Sequence, residues 1–250
     1  MVAQGVDAVL TPEGAIPTVW TEGSGQTSPQ MAALMRAVST ARVPLWLGTF
    51  ASDRNDPQRT TQSLVEISEQ GQVTGRYNKV KLVPLGEYLP LEPLVGRLIG
   101  RLSPLNSYLV PGQPSQQFTT RLGPAVVGIC YESAYGQLFR QQTQKGGEFI
   151  LTASNNDPYP PRMMAQHHAL DVIRAIENSR WAVRATNTGI SGIVNPQGRT
   201  QWLAPAHTYK VHQTTLYRRQ TLTPYVRWGN WLVPLLCGLS LVAALRPTLS

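Results

Sequence analysis

The chain has 250 residues, a formal net charge of +8, and 42% hydrophobic against 14% charged residues. This balance excludes an intrinsically disordered protein, and the length allows one α/β domain with an appendage. The basic residues are scattered rather than grouped, which argues against nucleic acid as a partner and leaves an anionic membrane surface. The two cysteines, Cys130 and Cys237, lie in very different contexts, so we expect no disulfide framework.

The first part of the chain alternates short apolar runs with polar turns. Residues 7–11 predict a strand that leads into Pro12-Glu13-Gly14. Apolar residues at helical spacing predict a helix over 28–39, with Ser28 as its N-cap and Pro29 as its first residue. Further strands are predicted at 44–50 and, as a hairpin, at 62–68 and 73–77.

An arm over about 88–113 does not fit a compact core. Its apolar residues, from Leu91 to Leu102, recur at i, i+3 and i+4 with Arg97 and Arg101 between them. The pattern predicts a basic amphipathic helix. It is equally consistent with a helix on a membrane surface and with a surface helix packed on the sheet.

The run Ala125–Glu132 predicts the central strand of the protein. Its small and β-branched residues are typical of a buried parallel strand, and it ends at Cys130. In α/β folds, ligands bind outside the carboxyl ends of such strands. Taken alone, Cys130 is either a nucleophile or a small buried core residue.

The elements after this strand continue the alternation. We predict a helical stretch after Cys130, strands at 148–153, 181–186, 192–195 and 211–217, a polar loop at 154–157 and a long helix at 162–179. Strands that alternate with helices indicate a layered α/β fold.

The C-terminal segment has a different character. Gly229–Leu245 carries no charged residue, and Trp228 and Trp231 stand at its entry. Its length is at the lower limit for a transmembrane helix. We predict a membrane span, with a buried core helix as the alternative. This divides the chain into a catalytic domain at 1–222 and a C-terminal transmembrane helix and tail at 223–250.

Three residues near predicted strand ends have the chemistry for covalent catalysis. Cys130 supplies a thiol, Glu13 a base for its proton, and Lys79 a cation for a thiolate or an oxyanion. Both charged residues are also compatible with solvated surface positions. None of the four histidines has a comparable setting, and no metal-ligand spacing or phosphate loop is present, so we expect no cofactor and no metal.

Five blocks in this order resemble the nitrilase, or carbon–nitrogen hydrolase, superfamily. They are Thr11–Pro17, Tyr77–Tyr88, Gly128–Glu132, Arg174–Asn178 and Arg184–Ser191. The resemblance implies a catalytic triad of Glu13, Lys79 and Cys130. It also implies supporting roles for Glu87, Tyr131 and Glu132. Lys81, the rival for the lysine role, and Glu177, an ion-pair partner of Arg174 or Arg180, are interpreted as non-catalytic.

Within the superfamily the chain resembles the apolipoprotein N-acyltransferases, mainly through residues 82–92 and 185–191. The resemblance implies an α-β-β-α sandwich, here expected to be N-terminally truncated, without the first strand and helix. It further implies acyl transfer from a phospholipid, through a cysteine thioester, to the α-amine of a diacylglyceryl-lipoprotein. The expected location is the bacterial inner membrane, with the domain on the periplasmic side. A soluble amidase or nitrilase, or a non-catalytic remnant, are the alternatives.

Overall fold

The computed structural model describes residues 5–21, 28–88 and 109–245, which build two β-sheets. The first sheet has the order β1-β3-β4-β5, with β2 also paired to β3. Its strands are β1 (Val9–Leu10), β2 (Ile16–Trp20), β3 (Leu45–Ser52), β4 (Thr60–Ile67) and β5 (Val73–Asn78). The predicted hairpin is confirmed, since β4 and β5 pair antiparallel.

The second sheet contains the strand that ends at the cysteine. Its order is β11-β10-β9-β8-β7-β6. Its strands are β6 (Phe118–Thr120), β7 (Gly123–Ile129), β8 (Phe149–Ser154), β9 (Ala182–Thr186), β10 (Gly192–Val194) and β11 (Thr200–Leu203). The central strands β7, β8 and β9 run parallel, as the apolar sequence of β7 predicts.

The described residues also contain five α-helices, three of which pack on the outer faces of the sheets. They are α1 (Pro29–Ala41), α2 (Gly136–Gln144), α3 (Pro161–Asn178), α4 (Pro224–Trp228) and α5 (Leu232–Leu245), with a short 3₁₀ helix at Cys130–Ala134. The predicted cap of α1 is confirmed, because the Ser28 side chain accepts a hydrogen bond from the Met31 amide. Met31 and Val38 of α1 pack on the first sheet, while α2 and α3 contact elements of the second, which gives α-β-β-α layers.

The two sheets meet through apolar and buried polar contacts. The rings of Trp46 in β3 and Phe149 in β8 lie 5.9 Å apart between the sheets. Behind them the Glu66 carboxylate accepts hydrogen bonds from Trp46 Nε1 at 3.2 Å and from the Arg121 amide at 3.0 Å. These contacts hold the two sheets against each other, and the candidate site lies where strands of both sheets end.

The strand predicted at 211–217 is wrong. This segment carries no strand, and its side chains attach it to the surface instead. His212 stacks on Trp202 with ring centroids 4.2 Å apart, and Tyr217 lies 5.5 Å from Trp181. The aromatic residues that contribute to the strand-like pattern therefore contact the protein surface without forming strand pairs.

The predicted membrane span does not match the structure. Helix α4 ends at Trp228, Gly229 has a φ of 67°, and α5 begins only at Leu232. Within the described ranges, no helix combines the length and apolar character that a membrane crossing requires. The alternative of a buried core helix is also wrong, because α5 has no buried residue. Most of the arm predicted at about 88–113 lies outside the described residues.

Candidate active site

Glu13 lies on the connection between β1 and β2, which crosses directly over Gly48 of β3. The Gly48 amide donates to Thr11 Oγ1 at 3.0 Å, and the Ala15 amide donates to the Gly48 carbonyl at 2.8 Å. A Cβ atom at position 48 would lie 2.1 Å from the Pro12 carbonyl oxygen and 2.8 Å from the Glu13 Cα. Glycine at 48 therefore permits the close approach that turns the Glu13 side chain inward.

Lys79 follows the end of β5 and is completely buried. Its backbone amide donates to the Gln62 carbonyl, and its carbonyl accepts from the Gly112 amide, both at 2.8 Å. The ammonium group donates to Glu13 Oε1 at 3.0 Å and to Glu87 Oε1 at 2.5 Å. One cation thus lies between two carboxylates. An ammonium group has three N–H bonds, so one remains after these two contacts.

Glu87 belongs to a turn that follows the lysine segment. Its Oε2 accepts from the Val83 amide at 2.9 Å, which orients the carboxylate toward Lys79. Its backbone carbonyl accepts from the Leu109 amide at 3.0 Å. The start and the end of the predicted arm are therefore joined beside the site.

Cys130 lies between β7 and the 3₁₀ helix and is only 4% exposed. Its φ of 53° is unusual for a residue with a side chain, and such strain is typical of functional positions. The thiol lies 3.5 Å from the Asn155 carbonyl oxygen, while the Asn155 amide donates to Glu13 Oε2 at 2.5 Å. The backbone of Asn155 thus joins the thiol to the carboxylate.

Glu132 connects the cysteine strand to the lysine strand. Its buried carboxylate accepts from the amides of Val80 at 2.5 Å, Lys81 at 3.1 Å and Ile129 at 2.8 Å. The Tyr77 hydroxyl also donates to it. The position that the sequence marks as supporting is therefore a structural joint between the two sheets.

Burial dominates the titration of the site. It raises the pKa of the Cys130 thiol to about 12, with the Glu13 charge adding to the rise and Lys79 opposing it. Burial also raises the pKa of Glu13, against the pull of Lys79. It raises the pKa of Glu132 to about 7, although three backbone amides oppose it. For Lys79, the charges of Glu13 and Glu87 outweigh burial and raise its pKa. The thiol is therefore protonated at neutral pH.

The remaining predicted residues lie around this cluster. Tyr131 packs edge-on against Tyr135, with ring centroids 5.2 Å apart. Lys81 is exposed, as a solvated or membrane-facing residue would be, and its ammonium group lies 5.2 Å from the centre of the Tyr135 ring. Glu177 pairs with Arg174 at 3.3 Å, as predicted for a helix ion pair.

Sequence reasoning missed the buried polar residues behind the cysteine. His167 contacts the Cys130 carbonyl oxygen at 2.6 Å, and Asp171, one helical turn later, pairs with Arg184 at 2.6 Å. A signal for them exists in the sequence. His167, Asp171, Arg174 and Asn178 share one face of α3, and all four are buried. Polar residues repeated on the inward face of a helix indicate a network rather than solvent contact.

The network gives a pH prediction. Burial lowers the pKa of His167 to about 4 from its ordinary 6.5. Between these values the unfolded chain binds a proton that the folded chain does not, so this histidine destabilises the fold as the pH falls. We expect the free energy of unfolding of His167→Gln to rise by about 3 kcal/mol relative to that of wild type as the pH falls from 7 to 4. Urea unfolding at each pH measures this difference. A constant difference between the two proteins would contradict this.

The layered fold and the buried carboxylate, ammonium and thiol groups define a class of protein. Residues 1–221 match the family model for carbon–nitrogen hydrolases, and the chain belongs to that family. Among solved structures it is similar to the C. elegans NitFhit protein, with a TM-score of 0.64, 18% identity, and coverage of 82% of this chain and 52% of that one. It is also similar to an amidase from Nesterenkonia sp. AN1, at a TM-score of 0.59 and 19% identity over 82% of this chain and 75% of that one.

The chain is also similar to curated relatives that carry a narrower name. It is 51% identical over 240 residues to the apolipoprotein N-acyltransferase of Nostoc sp. and 49% identical over 240 residues to that of Synechocystis sp.. Each match covers 96% of this chain but only 46% and 45% of the relative. The chain therefore spans about half the length of the curated relatives that it matches.

Proposed function

We propose that this chain carries the catalytic domain of a lipoprotein N-acyltransferase. Cys130 takes an acyl chain from a phospholipid as a thioester and passes it to the α-amine of an N-terminal diacylglyceryl-cysteine. The observation that carries the proposal is the link between Glu13 and Cys130 through the backbone of Asn155, with Lys79 hydrogen-bonded to the same carboxylate. The identity to relatives with this name supports the choice of substrates.

In the first half-reaction Glu13 acts as the general base. Because the thiol pKa is raised to about 12, the proton must leave as the sulfur attacks. The S–C bond forms at the ester carbonyl of the phospholipid, and the proton moves to Glu13. When the tetrahedral intermediate collapses, the C–O bond breaks and Glu13 returns the proton to the leaving alcohol. The products are a lysophospholipid and the Cys130 thioester.

In the second half-reaction the lipoprotein amine attacks the thioester carbonyl. Glu13 accepts a proton from the amine, the C–N bond forms and the C–S bond breaks. The sulfur leaves with a proton from Glu13, which restores the free thiol and completes the amide. The high pKa of Glu13, caused by burial, suits a group that must both accept and donate.

Lys79 has the role of stabilising the oxyanion in both steps. Two of its N–H bonds are held by Glu13 and Glu87, which fixes the direction of the third. Its raised pKa keeps it charged throughout. A fixed cation of this kind stabilises charge that develops in the transition state without reorganisation. Glu87 supports the site by holding the ammonium group of Lys79 in this direction. Glu132 joins the ends of the cysteine strand and the lysine strand. Tyr131 borders the substrate.

We propose membrane contact through α5, because a phospholipid donor must be reached in a bilayer. Apolar side chains are exposed along this helix, with Leu239 at 57%, Leu241 at 61% and Leu245 at 73%. An exposed apolar surface of this size favours a membrane or a protein partner. The proposed location is the bacterial inner membrane, with the domain on the periplasmic side.

A mass measurement tests the chemistry. After incubation with phosphatidylethanolamine vesicles, we expect the intact chain to gain the mass of one acyl group, and Cys130→Ala to gain none. Cys237→Ala is the matched control and should acylate as wild type does, since alanine keeps the exposed surface of α5 apolar. An acyl adduct that hydroxylamine does not remove, or one that persists in Cys130→Ala, would contradict the thioester.

A second measurement tests the membrane contact. We expect the chain to float with anionic vesicles on a sucrose gradient, and the double variant Leu239→Ser with Val242→Ser to lose most of this association, about tenfold or more in partition coefficient. Both residues are more than half exposed, so the fold should be unaffected. Exchange of the exposed Val211 for serine is the control, and equal loss there would argue against a specific role of α5.

A further inference from the structure

A network of four buried polar side chains lies behind the nucleophile and has no role in the reaction above. It consists of His167, Asn156, Arg184 and Asp171, which are exposed by 9%, 0%, 3% and 1%. They come from α3, the loop after β8, and β9. Buried polar groups destabilise a fold unless they are paired, so a connected set of this size invites a functional explanation.

The direction of each hydrogen bond in this network follows from the carboxylate of Asp171, which can only accept. Asp171 accepts from Ser133 Oγ at 2.6 Å, from Thr152 Oγ1 at 3.1 Å and from Arg184 Nη1 at 2.6 Å. Arginine only donates, so the Arg184 Nη2 contact at 3.1 Å requires the oxygen of the Asn156 side chain to face it. The amide nitrogen of Asn156 must then point the other way.

That nitrogen determines the tautomer of His167. Asn156 Nδ2 lies 2.9 Å from His167 Nδ1, and because an amide nitrogen donates, Nδ1 must accept. The proton of the neutral ring is therefore on Nε2. Nε2 lies 2.6 Å from the Cys130 carbonyl oxygen, to which it donates. The buried ion pair thus sets the orientation of a hydrogen bond on the backbone of the nucleophile.

The backbone at Cys130 needs such support. Its φ of 53° lies in the left-handed region, which a residue with a Cβ adopts only when its surroundings hold it there. The residue also ends the strand β7 and begins the 3₁₀ helix, so its carbonyl leaves the β-ladder. A donor placed on that carbonyl fixes the peptide plane after Cys130.

We propose that His167 is a positioning residue for the nucleophile, holding Cys130 in its left-handed conformation through the bond from Nε2–H to the Cys130 carbonyl. The proposal rests on the function assigned to Cys130 above. It differs from a cysteine–histidine dyad. The nitrogen that faces Cys130 carries a proton and contacts the carbonyl oxygen, so it is not available to accept a proton from sulfur.

The test uses the full chain with Cys237→Ser, so that Cys130 is the only thiol. Alkylation by iodoacetamide, followed by intact mass, reports sulfur placement without any lipid. In protein shown to be folded by circular dichroism, we expect His167→Leu to raise the alkylation rate about tenfold, because a Cys130 side chain that leaves its position also leaves the burial that raises its pKa. His167→Gln, whose amide nitrogen can replace Nε2–H, should stay within about threefold of wild type. His168→Leu is the matched control. His168 is the next residue of α3 and bonds instead to Thr200 Oγ1 at 3.0 Å, so the rate should be unchanged.

Two results would overturn the proposal. One is a folded His167→Leu protein that reacts at the wild-type rate, and the other is a folded His167→Gln protein that reacts as fast as His167→Leu. Long-range ¹H–¹⁵N NMR of the unmutated chain at pH 7 gives an answer that does not depend on how the variants fold. A proton on Nε2 supports the proposal, and a proton on Nδ1 overturns it.

The same experiments separate this inference from the proposed acyl transfer. If the wild-type chain gains no acyl group from vesicles while alkylation follows the expected pattern, positioning by His167 is supported and the choice of acyl donor fails. If acylation occurs but alkylation and acylation are both indifferent to His167, the acyltransferase assignment survives and the positioning role is overturned.

Discussion

Glu13→Gln is expected to lower the rate of Cys130 acylation by about three orders of magnitude. Glutamine keeps the shape of the side chain and an oxygen for the Asn155 amide or the Lys79 ammonium group, which lie 2.5 Å and 3.0 Å from the carboxylate. It cannot take the proton of a thiol whose pKa is raised to about 12. Acyl adduct formation on phospholipid vesicles, followed by intact mass against time, measures the loss.

The same substitution should affect alkylation at high pH in the opposite direction. The negative charge of Glu13 raises the pKa of the Cys130 thiol, so its removal should lower that pKa. In the Cys237→Ser background, the pH profile of iodoacetamide alkylation should shift to lower pH as acylation declines. A simple loss of folding would also expose this buried thiol and raise its alkylation, so circular dichroism must first show that Glu13→Gln is folded.

Glu66→Gln is the matched control for removing a buried carboxylate. Glu66 is 3% exposed and bonds to Trp46, Thr74 and Arg121 between the sheets. Acylation by Glu66→Gln should stay near the wild-type rate once the protein is shown to be folded. A Glu13→Gln protein that acylates within tenfold of wild type would remove Glu13 from the role of base.

The sequence predicts the central strands from a local signal, whereas its prediction of the site residues depends on the joint order of individually weak blocks. The run before Cys130 is apolar on both faces, as expected for the buried parallel strand β7. The blocks around Glu13, Lys79 and Cys130 lie far apart in the chain, and their order carries the resemblance. The structure then brings Glu13 and Lys79 within 3.0 Å.

What the sequence does not predict depends on contacts between distant segments. His167 lies in the middle of a helix, and its hydrogen-bond partner is the Cys130 carbonyl, 37 residues earlier in the sequence. Residues 211–217 have strand-like alternation, but they form no strand and contact Trp202 and Trp181 through aromatic rings instead. The uncharged run at Gly229–Leu245 predicts a membrane span, yet the helix there begins only at Leu232 and has no buried residue.

Gly48 shows how a distant contact controls the chemistry. Its sequence context, in the middle of an apolar strand, gives no hint of a functional role. In the fold it allows the Glu13 segment to cross β3 with no space for a side chain, since a Cβ atom would lie 2.1 Å from the Pro12 carbonyl oxygen. Both atoms in that contact belong to backbone or to the first side-chain carbon, so no rotamer change relieves it.

Gly48→Ala is therefore expected to displace Glu13 and to strain the fold. We expect a destabilisation of about 1–3 kcal/mol from overpacking and a loss of about two orders of magnitude in acylation from displacement of the base by roughly 1 Å. Thermal unfolding and the vesicle acylation assay measure the two effects. Because the thiol itself is not moved, alkylation of Cys130 in the Cys237→Ser background should fall far less than acylation.

Gly75→Ala is the matched control, since Gly75 also lies in a strand of the first sheet, β5. Its nearest neighbours for an added Cβ are at 3.2 Å and beyond, so small adjustments accommodate a methyl group. A Gly48→Ala protein with the acylation rate of Gly75→Ala would contradict the placement of Glu13 by this crossing. If acylation falls while alkylation persists, the backbone crossing at Gly48 is what positions the base, and a glycine outside the site sets the rate of its reaction.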